Sequence, residues 1–116
     1  MSLQHIALES DWQDAQITGS YPVSTRDHQI VEVGFMHCSG SAEQLAAVLE
    51  RFYADVTEPL LVLTLDEQAL ADHGLVVRHE PPVPGAPVEE GTELFPHVYG
   101  GELPVACVGD VFPLRR

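Results

Sequence analysis

Three histidines stand where side chains can do chemistry, each at the end of a predicted element or in a turn: His5, His37 and His97. Histidine titrates near neutral pH, so an imidazole can donate a hydrogen bond, accept one or bind a ligand there. The alternative for each is a structural imidazole that is hydrogen-bonded to the backbone. We take a histidine-lined pocket as the working hypothesis.

His37 and Ser39 are two residues apart, which places both side chains on one face of an extended strand. A hydroxyl and an imidazole can then bind one ligand together. Ser39 has an equal alternative role beside the start of the following helix, where hydroxyls satisfy free amides. Cys38 points to the opposite face from its neighbour His37, which argues against a thiol nucleophile with His37 as its base.

Glu80 and Tyr99 are further candidates for the site. Glu80 ends a predicted strand and is a candidate general base or ribose ligand, although the 18 acidic residues make a solvated carboxylate the alternative. Tyr99 follows His97 by two residues, so in an extended segment both share a face from which either can contact a ligand. The alternative for Tyr99 is a core aromatic with a polar tip.

The sequence lacks the ligand spacing of a metal site, such as HExxH, CxxC or a close pair of histidines. We therefore expect no metal. The first residues lack the basic and long apolar regions of a signal peptide, and no apolar run reaches the roughly 20 residues of a membrane span. We expect a cytoplasmic protein without a membrane segment, in which Cys38 and Cys107 are reduced.

The elements that must position these residues begin with a strand over Leu3 to Leu8. Ser10 and Gln13 fit a capping box for a helix that carries Trp12 and Ala15 inward and ends by Gly19. The alternating pattern predicts a long strand from Ile30 to Ser39, with His37 and Ser39 on one face and Gly34 at a bulge or close backbone approach.

The clearest helix follows a second capping box, formed by Ser41 and Gln44. Its apolar residues share one helical face: Leu45, Val48, Leu49, Phe52 and Tyr53. Leu60 to Leu65 is a continuous apolar run typical of a central buried strand. Asp66 then caps a short helical turn that ends near Gly74, and Leu75 to Glu80 forms another strand.

The last third of the chain begins with an exposed loop, because residues 81–93 are too rich in proline and glycine to be regular. The segments LFPHVYGG and PVACVGDVF then return to the sheet. With 116 residues and ordinary globular composition, the chain is expected to be one α+β domain, residues 1–116, with two or three helices.

The net charge of −13, with five arginines and no lysine, is unfavourable for binding a phosphate backbone. We expect no nucleic-acid partner, and solubility alone accounts for this charge. A small molecule or a nucleotide is the expected ligand, with a protein side chain as a further candidate substrate. A partner protein stays unknown, and the remaining alternative is that the histidines are structural and the acidic surface binds a basic partner.

The motifs GFMHCS (Gly34 to Ser39) and FPHVYG (Phe95 to Gly100) resemble the two signatures of the domain of unknown function family 952, a bacterial family. His5-Ile6, Trp12 and Gly19 to Tyr21 match its N-terminal pattern, so the resemblance covers nearly the whole chain. The family is more remotely similar to the ADP-ribosyltransferase-like fold. That similarity implies a mixed, split β-sheet with a nucleotide cleft.

This resemblance implies roles for the candidate residues. His5 would bind a ribose hydroxyl, and so would His37, with Ser39 beside it. Tyr99 is a candidate ligand contact from its spacing to His97 alone. Glu80 or His97 would act catalytically near the scissile bond by stabilising an oxocarbenium-like centre. NAD is the implied cofactor, and ADP-ribosyl transfer is the implied chemistry. His5 is followed by Ile6-Ala7 instead of a small Gly-Thr or Gly-Ser pair, which favours the alternative of a non-catalytic ligand-binding or protein-interaction domain.

Overall fold

Two three-stranded antiparallel sheets form the framework of the domain in the computed structural model, which describes residues 3–83 and 86–114. The strands are β1 (Leu3–Leu8), β2 (Ser20–Tyr21), β3 (Val23–Thr25), β4 (His28–Gln29), β5 (Met36–His37), β6 (Leu60–Leu65), β7 (Val76–Glu80), β8 (Phe95–Tyr99), β9 (Leu103–Pro104) and β10 (Val108–Pro113). The helices are α1 (Glu9–Thr18), α2 (Ile30–Val33), α3 (Ala42–Tyr53) and α4 (Glu67–Asp72), with a 3₁₀ turn at Val105–Cys107.

One sheet has the strand order β1-β6-β10 and the other has the order β5-β8-β7, while β2-β9 and β3-β4 form short ribbons. An isolated bridge between Gln4 and Ser39 joins the first sheet to the end of β5. The α+β class and the division of the sheet are therefore as expected. Every strand pair within the described residues is antiparallel, however, so the expected mixed pairing is absent from them.

The prediction of a central strand over Leu60 to Leu65 is confirmed, because β6 lies between β1 and β10. Leu63 and Leu65 are completely buried. Their side chains belong to the larger of two apolar clusters, which also contains Trp12 and Ala15 of α1. A continuous apolar run is thus explained by burial of the strand on both faces.

The helix predicted after Ser41 is α3, and Ser41 caps it by accepting a hydrogen bond from the amide of Gln44 at 3.1 Å. A capping box would have the Gln44 side chain accept a hydrogen bond from the amide of Ser41. It accepts instead from the amide of the preceding residue, Gly40, at 2.9 Å. The predicted apolar face packs on the second core cluster, which includes Ile6 and Leu60. This helix forms one wall of the site described below.

The predicted long strand from Ile30 to Ser39 is wrong over its first half. Residues 30–33 form the short helix α2, and only Met36 and His37 are paired in a strand. Glu32 accepts a hydrogen bond from the amide of Gln29 at 3.0 Å, and Gly34 ends the turn with a φ of 91°. These local capping interactions outweighed the β-propensity of the valines. Val31, one of these valines, is 70% exposed to solvent.

The predicted cap at Ser10 is also wrong, because α1 begins at Glu9 and Leu8 occupies the capping position without a side-chain bond. The helix ends at Gly19 as predicted, and Trp12 and Ala15 are buried. Asp66 does cap α4, accepting from the amides of Gln68 at 2.9 Å and Ala69 at 3.3 Å. The described chain has four α-helices instead of two or three because α2 replaces part of a strand.

The proline-rich loop between β7 and β8 contains no helix or strand in its described residues, as predicted. Both cysteines are free and buried. None of the helices in the described parts of the chain is long and apolar enough to cross a membrane.

The two serines give a matched test of capping. We expect Ser41→Ala to lower the free energy of unfolding by about 0.5–2 kcal/mol, because the amide of Gln44 loses its partner. Ser10→Ala is expected to change it by less than about 0.5 kcal/mol, since Ser10 is exposed inside the first turn of α1. Urea denaturation of both variants measures the difference, and equal losses would contradict the assigned start of α1.

Candidate functional site

The candidate site lies on one face of the sheet β5-β8-β7, where the register sets histidines side by side. His37 on β5 pairs directly with His97 on β8, and Arg78 on β7 pairs with His97 from the other side. Glu80 pairs with Phe95, two residues from His97. Since alternate residues of a strand share a face, Phe95, His97 and Tyr99 point the same way. The opposite face of these strands faces the core through Met36 and Val98.

A chain of hydrogen bonds connects these side chains. Glu80 Oε1 lies 2.6 Å from the hydroxyl of Tyr99, which donates to it, and 2.9 Å from His97 Nδ1. His97 Nε2 lies 2.9 Å from His37 Nδ1. The Tyr99 and His97 hydrogen bonds lower the pKa of the Glu80 carboxyl, so that it is a carboxylate near neutral pH. Glu80, His97 and His37 therefore form a continuous line, which we call the relay.

The relay assigns a tautomer to each ring. A carboxylate only accepts, so His97 Nδ1 must carry the hydrogen that is donated to Glu80. Burial lowers the pKa of His97 although Glu80 opposes this, so the ring is neutral near neutral pH and its Nε2 holds a lone pair. His37 Nδ1 then donates to that lone pair, which leaves His37 Nε2 without a hydrogen.

His37 Nε2 is the one buried side-chain nitrogen or oxygen that lacks a hydrogen-bond partner within the described part of the chain. The His37 side chain lines two adjoining cavities, of about 190 Å³ and 150 Å³, that share Phe52 and Pro82. The larger is also lined by Ala47, Val48, Arg51, Glu93 and Phe95, and the smaller by Ser24, Thr25, His28, Val33 and Phe35. The His37 ring thus borders a mostly apolar pocket that has the charged side chains of Arg51 and Glu93 in its wall, while the Nε2 atom itself is covered by protein.

Burial, with smaller effects of His97, His5 and Arg51, lowers the pKa of His37 to about 3. The ring is consequently neutral at physiological pH, and its Nε2 is available as a hydrogen-bond acceptor. Phe95 and Phe52 surround the ring, with centroids 5.3 Å and 6.2 Å from it. These contacts, together with the hydrogen bond to His97, hold the ring in place.

His5 holds the backbone of His37 and does not line either cavity. Its Nδ1 donates to the carbonyl oxygen of His37 at 2.7 Å, and its Nε2 accepts from the hydroxyl of Tyr21 at 3.0 Å. The amide of His37 donates to Ser24 Oγ at 3.1 Å. Burial lowers the pKa of His5 to about 4, so it is neutral in the folded protein. Its ligand-binding role stays a prediction, and both its ring nitrogens have protein partners.

The other predicted residues fall in different places. Ser39 is 2% exposed and its backbone pairs with Gln4, so it lies behind His37 beside the first sheet. The helix cap is Ser41 and not Ser39. Tyr99 is half-buried and touches the relay only through Glu80. Glu80, His37, His97 and Tyr99 are thus brought together, whereas His5 and Ser39 support them from the other side.

Sequence reasoning missed Tyr21, Ser24, Arg51 and Phe52 as parts of the site. Phe52 was assigned only to the packed face of its helix, although it also covers His37. Tyr21 and Ser24 act through hydrogen bonds over 16 and 13 residues of sequence, and no local pattern signals such pairs. Arg51 lies next to Phe52 on α3, and nothing in its charge or position in the sequence indicates that it lines a pocket.

No group of three or more histidine, cysteine or acidic side chains in the described ranges is arranged to hold a metal ion. Burial raises the pKa of both thiols, and neither lines a cavity with His37. The chemistry available at the site is therefore that of the imidazole, the carboxylate and the guanidinium.

A family model described as "Protein of unknown function (DUF952)" matches residues 6–111. The chain belongs to this family. The family resemblance expected from the two histidine motifs is thereby confirmed. The relay of this DUF952 domain joins the two motifs, since His37 comes from the first and His97 from the second.

Two solved structures are similar to this DUF952 domain over 99% of its length and 87% of theirs. One is protein CC0527 from Caulobacter crescentus, with 21% identity and a TM-score of 0.73. The other is a double mutant of the same protein, with 20% identity and a TM-score of 0.72. At these identities the likeness shows a common fold. No curated protein matches the chain.

The neutral, buried His5 predicts how stability depends on pH. Its folded pKa of about 4 lies below the 6.5 of an unperturbed histidine, so the unfolded chain binds more protons in this range and stability falls on acidification. The shift corresponds to about 3 kcal/mol. In urea denaturation, wild type should exceed His5→Gln in stability at pH 7, and this advantage should shrink by about that amount towards pH 4.

The control is His79→Gln, which removes an exposed imidazole from β7. An advantage of wild type over His5→Gln that stays constant from pH 7 to pH 4 would show that His5 is not held neutral by the fold.

Proposed function

We propose that this domain binds a small hydroxylated ligand at His37, with a ligand hydroxyl donating to His37 Nε2. The observation that carries this proposal is the buried Nε2, which has no partner within the described chain and belongs to a ring that lines two adjoining cavities. An acceptor held in this way costs about 1–3 kcal/mol when left unpaired. A donor supplied by a ligand removes that cost.

The ribose of NAD or of a related nucleotide is our specific candidate for the hydroxylated group. Cavities of about 190 Å³ and 150 Å³ are smaller than the roughly 300–1,000 Å³ typical of sites for drug-sized ligands. They suit a single ring or sugar, and the remainder of a nucleotide would lie along the surface. The relay supports this role, because the hydrogen bond of His37 Nδ1 to His97 leaves Nε2 without a hydrogen. Nε2 can then accept a hydrogen bond from the ligand.

ADP-ribosyl transfer on an ADP-ribosyltransferase-like fold is the more specific form of this proposal. It needs a carboxylate that stabilises positive charge at the sugar carbon. Glu80 Oε1 is bonded to His97 and Tyr99, so Glu80 would act through His97 and not by direct contact. Glu93 lies in the cavity wall and is the better-placed carboxylate. These contacts favour binding over transfer.

The alternative is a domain that binds its ligand without chemistry, or that acts as a protein-interaction module. The burial of all three candidate histidines favours ligand binding over recognition by an exposed histidine surface. A site that only binds would tolerate Glu93→Gln without loss of affinity or function. A transferase would keep its affinity and lose turnover.

Thermal unfolding in the presence of NAD, ADP-ribose and related nucleotides tests the proposal. A ligand at about 100 times its Kd stabilises the folded state by roughly 2.7 kcal/mol, which raises Tm by several degrees. We expect this shift for wild type and its loss in His37→Ala, which removes the acceptor nitrogen and puts no other acceptor in its place. His79→Ala, the same change at an exposed histidine, serves as the matched control and should keep the shift.

A shift of equal size in wild type and in His37→Ala would mean that the ligand binds elsewhere. If none of the nucleotides shifts Tm, the nucleotide form of the proposal is wrong.

A further inference from the structure

We propose that Glu80, His97 and His37 act as a proton relay, so that the pocket deprotonates the hydroxyl that it binds. This inference rests on the proposed function for the identity of the hydroxyl, and it adds general-base chemistry to binding. The geometry that carries it is the unbroken line from Glu80 Oε1 through both rings, with distances of 2.9 Å and 2.9 Å, to the bare Nε2 of His37.

The proton transfer is balanced within the site and the ligand. The hydroxyl proton moves to His37 Nε2, and the ligand oxygen keeps the bonding electron pair. As that proton arrives, the hydrogen on His37 Nδ1 passes to His97 Nε2. His37 is again neutral but in the opposite tautomer, and His97 carries both hydrogens and a positive charge. No further reactant is needed.

The charge should rest on His97 because only that ring contacts a carboxylate. His97 Nδ1 is bonded to Glu80, and an imidazolium there forms an ion pair at 2.9 Å. A positive charge on His37 would instead stand among Phe52, Phe95 and Val48, near the guanidinium of Arg51. The desolvation of His37 thus makes it a poor final site for the proton but a suitable entry point.

Arg51 is the group placed to receive the negative charge of the ligand. Its side chain lines the same cavity as His37, and its guanidinium lies over the Phe52 ring at 5.5 Å from the centroid. Among the described residues no carboxylate forms an ion pair with Arg51. A guanidinium beside the deprotonated oxygen lowers the energy of the transfer by charge attraction.

Several charged and titratable groups surround the relay and set its proton affinity. They are Glu80 and Arg78 on β7, Tyr99 on β8, His5 on β1, Arg51 on α3, Glu93 in the loop before β8, and His28 at the smaller cavity. Glu80 is the only carboxylate among them in contact with a ring of the relay. Tyr99 donates to the same oxygen of Glu80 and so weakens its pull on the His97 proton.

Long-range ¹H–¹⁵N spectra of the ligand-free protein, with ¹⁵N-labelled histidine, read the hydrogen on each ring nitrogen. In this experiment acidification supplies the proton in place of the ligand hydroxyl. The result therefore does not depend on whether any nucleotide binds. At pH 7.5 we expect His37 to carry hydrogen on Nδ1 only. Acidification below pH 6.5 should produce a doubly protonated His97 together with His37 protonated on Nε2 only.

Two variants separate the relay from a purely structural role. Glu80→Gln keeps an acceptor for His97 Nδ1 but removes the negative charge. The pH midpoint at which His97 gains its second hydrogen and His37 changes tautomer should therefore fall by about 1–3 pH units. Tyr99→Phe removes a donor to Glu80 and should raise the midpoint. Glu90→Gln is the matched control, because it removes the same charge from an exposed loop position. Its midpoint should equal that of wild type.

Other patterns overturn the proposal. These are a doubly protonated His37 beside a neutral His97, a hydrogen on His37 Nε2 at pH 7.5, and no protonation of either ring before unfolding. An unchanged midpoint in Glu80→Gln would also refute the part assigned to Glu80. If Glu80→Gln does not fold, the wild-type tautomers and the direction of the shift in Tyr99→Phe decide between relay and structural bonding.

Discussion

The pairing of His37 with His97 across β5 and β8 is the constraint on which the whole site depends. It sets two imidazoles side by side, and the neighbouring β7 register brings Glu80 within reach of the second ring. A slip of one residue would turn His97 towards the core and break both bonds. At one end of the β7–β8 pair, Gly100 has a φ of 122°, and a Cβ there would lie 2.9 Å from Leu75 Cδ2 and 3.3 Å from the carbonyl oxygen of Gly74, so this position favours glycine.

Local signals predicted much of the framework, and failures occurred where two local signals competed. The apolar run of β6 and the amphipathic face of α3 have no competing interpretation. At residues 30–33, alternating valines favoured a strand while Gln29, Glu32 and Gly34 together favoured a capped turn, and the turn formed. For the site, the two-residue spacing identified His97 and Tyr99 as a pair. The contact of Glu80 with His97 depends on strand register across a long loop, which no spacing in the sequence specifies.

Charge and burial act against each other in this protein. The chain carries a net charge of −13, which would favour protonated histidines, yet the three histidines of the two motifs and of β1 lie almost completely inside. Burial dominates, since the pKa values of His5 and His37 fall to about 4 and about 3. The result is a set of neutral rings whose hydrogens are placed by their partners. Such rings are neutral in nearly all molecules at physiological pH and can present an acceptor nitrogen. An exposed histidine is protonated in a fraction of the molecules at that pH.

His5 and His37 have nearly the same burial but differ in how their nitrogens are used. Both nitrogens of His5 are bonded, to a carbonyl and to the Tyr21 hydroxyl, whereas His37 has one bond and one bare nitrogen. An unpaired buried acceptor costs about 1–3 kcal/mol, and the fold that satisfies His5 fully leaves this cost in place at His37. The difference lies in position, because His37 borders cavities and His5 does not. An unpaired buried acceptor needs a physical reason, and the ligand that we propose at His37 would supply one, because the His37 ring borders two cavities in which a donor can be placed.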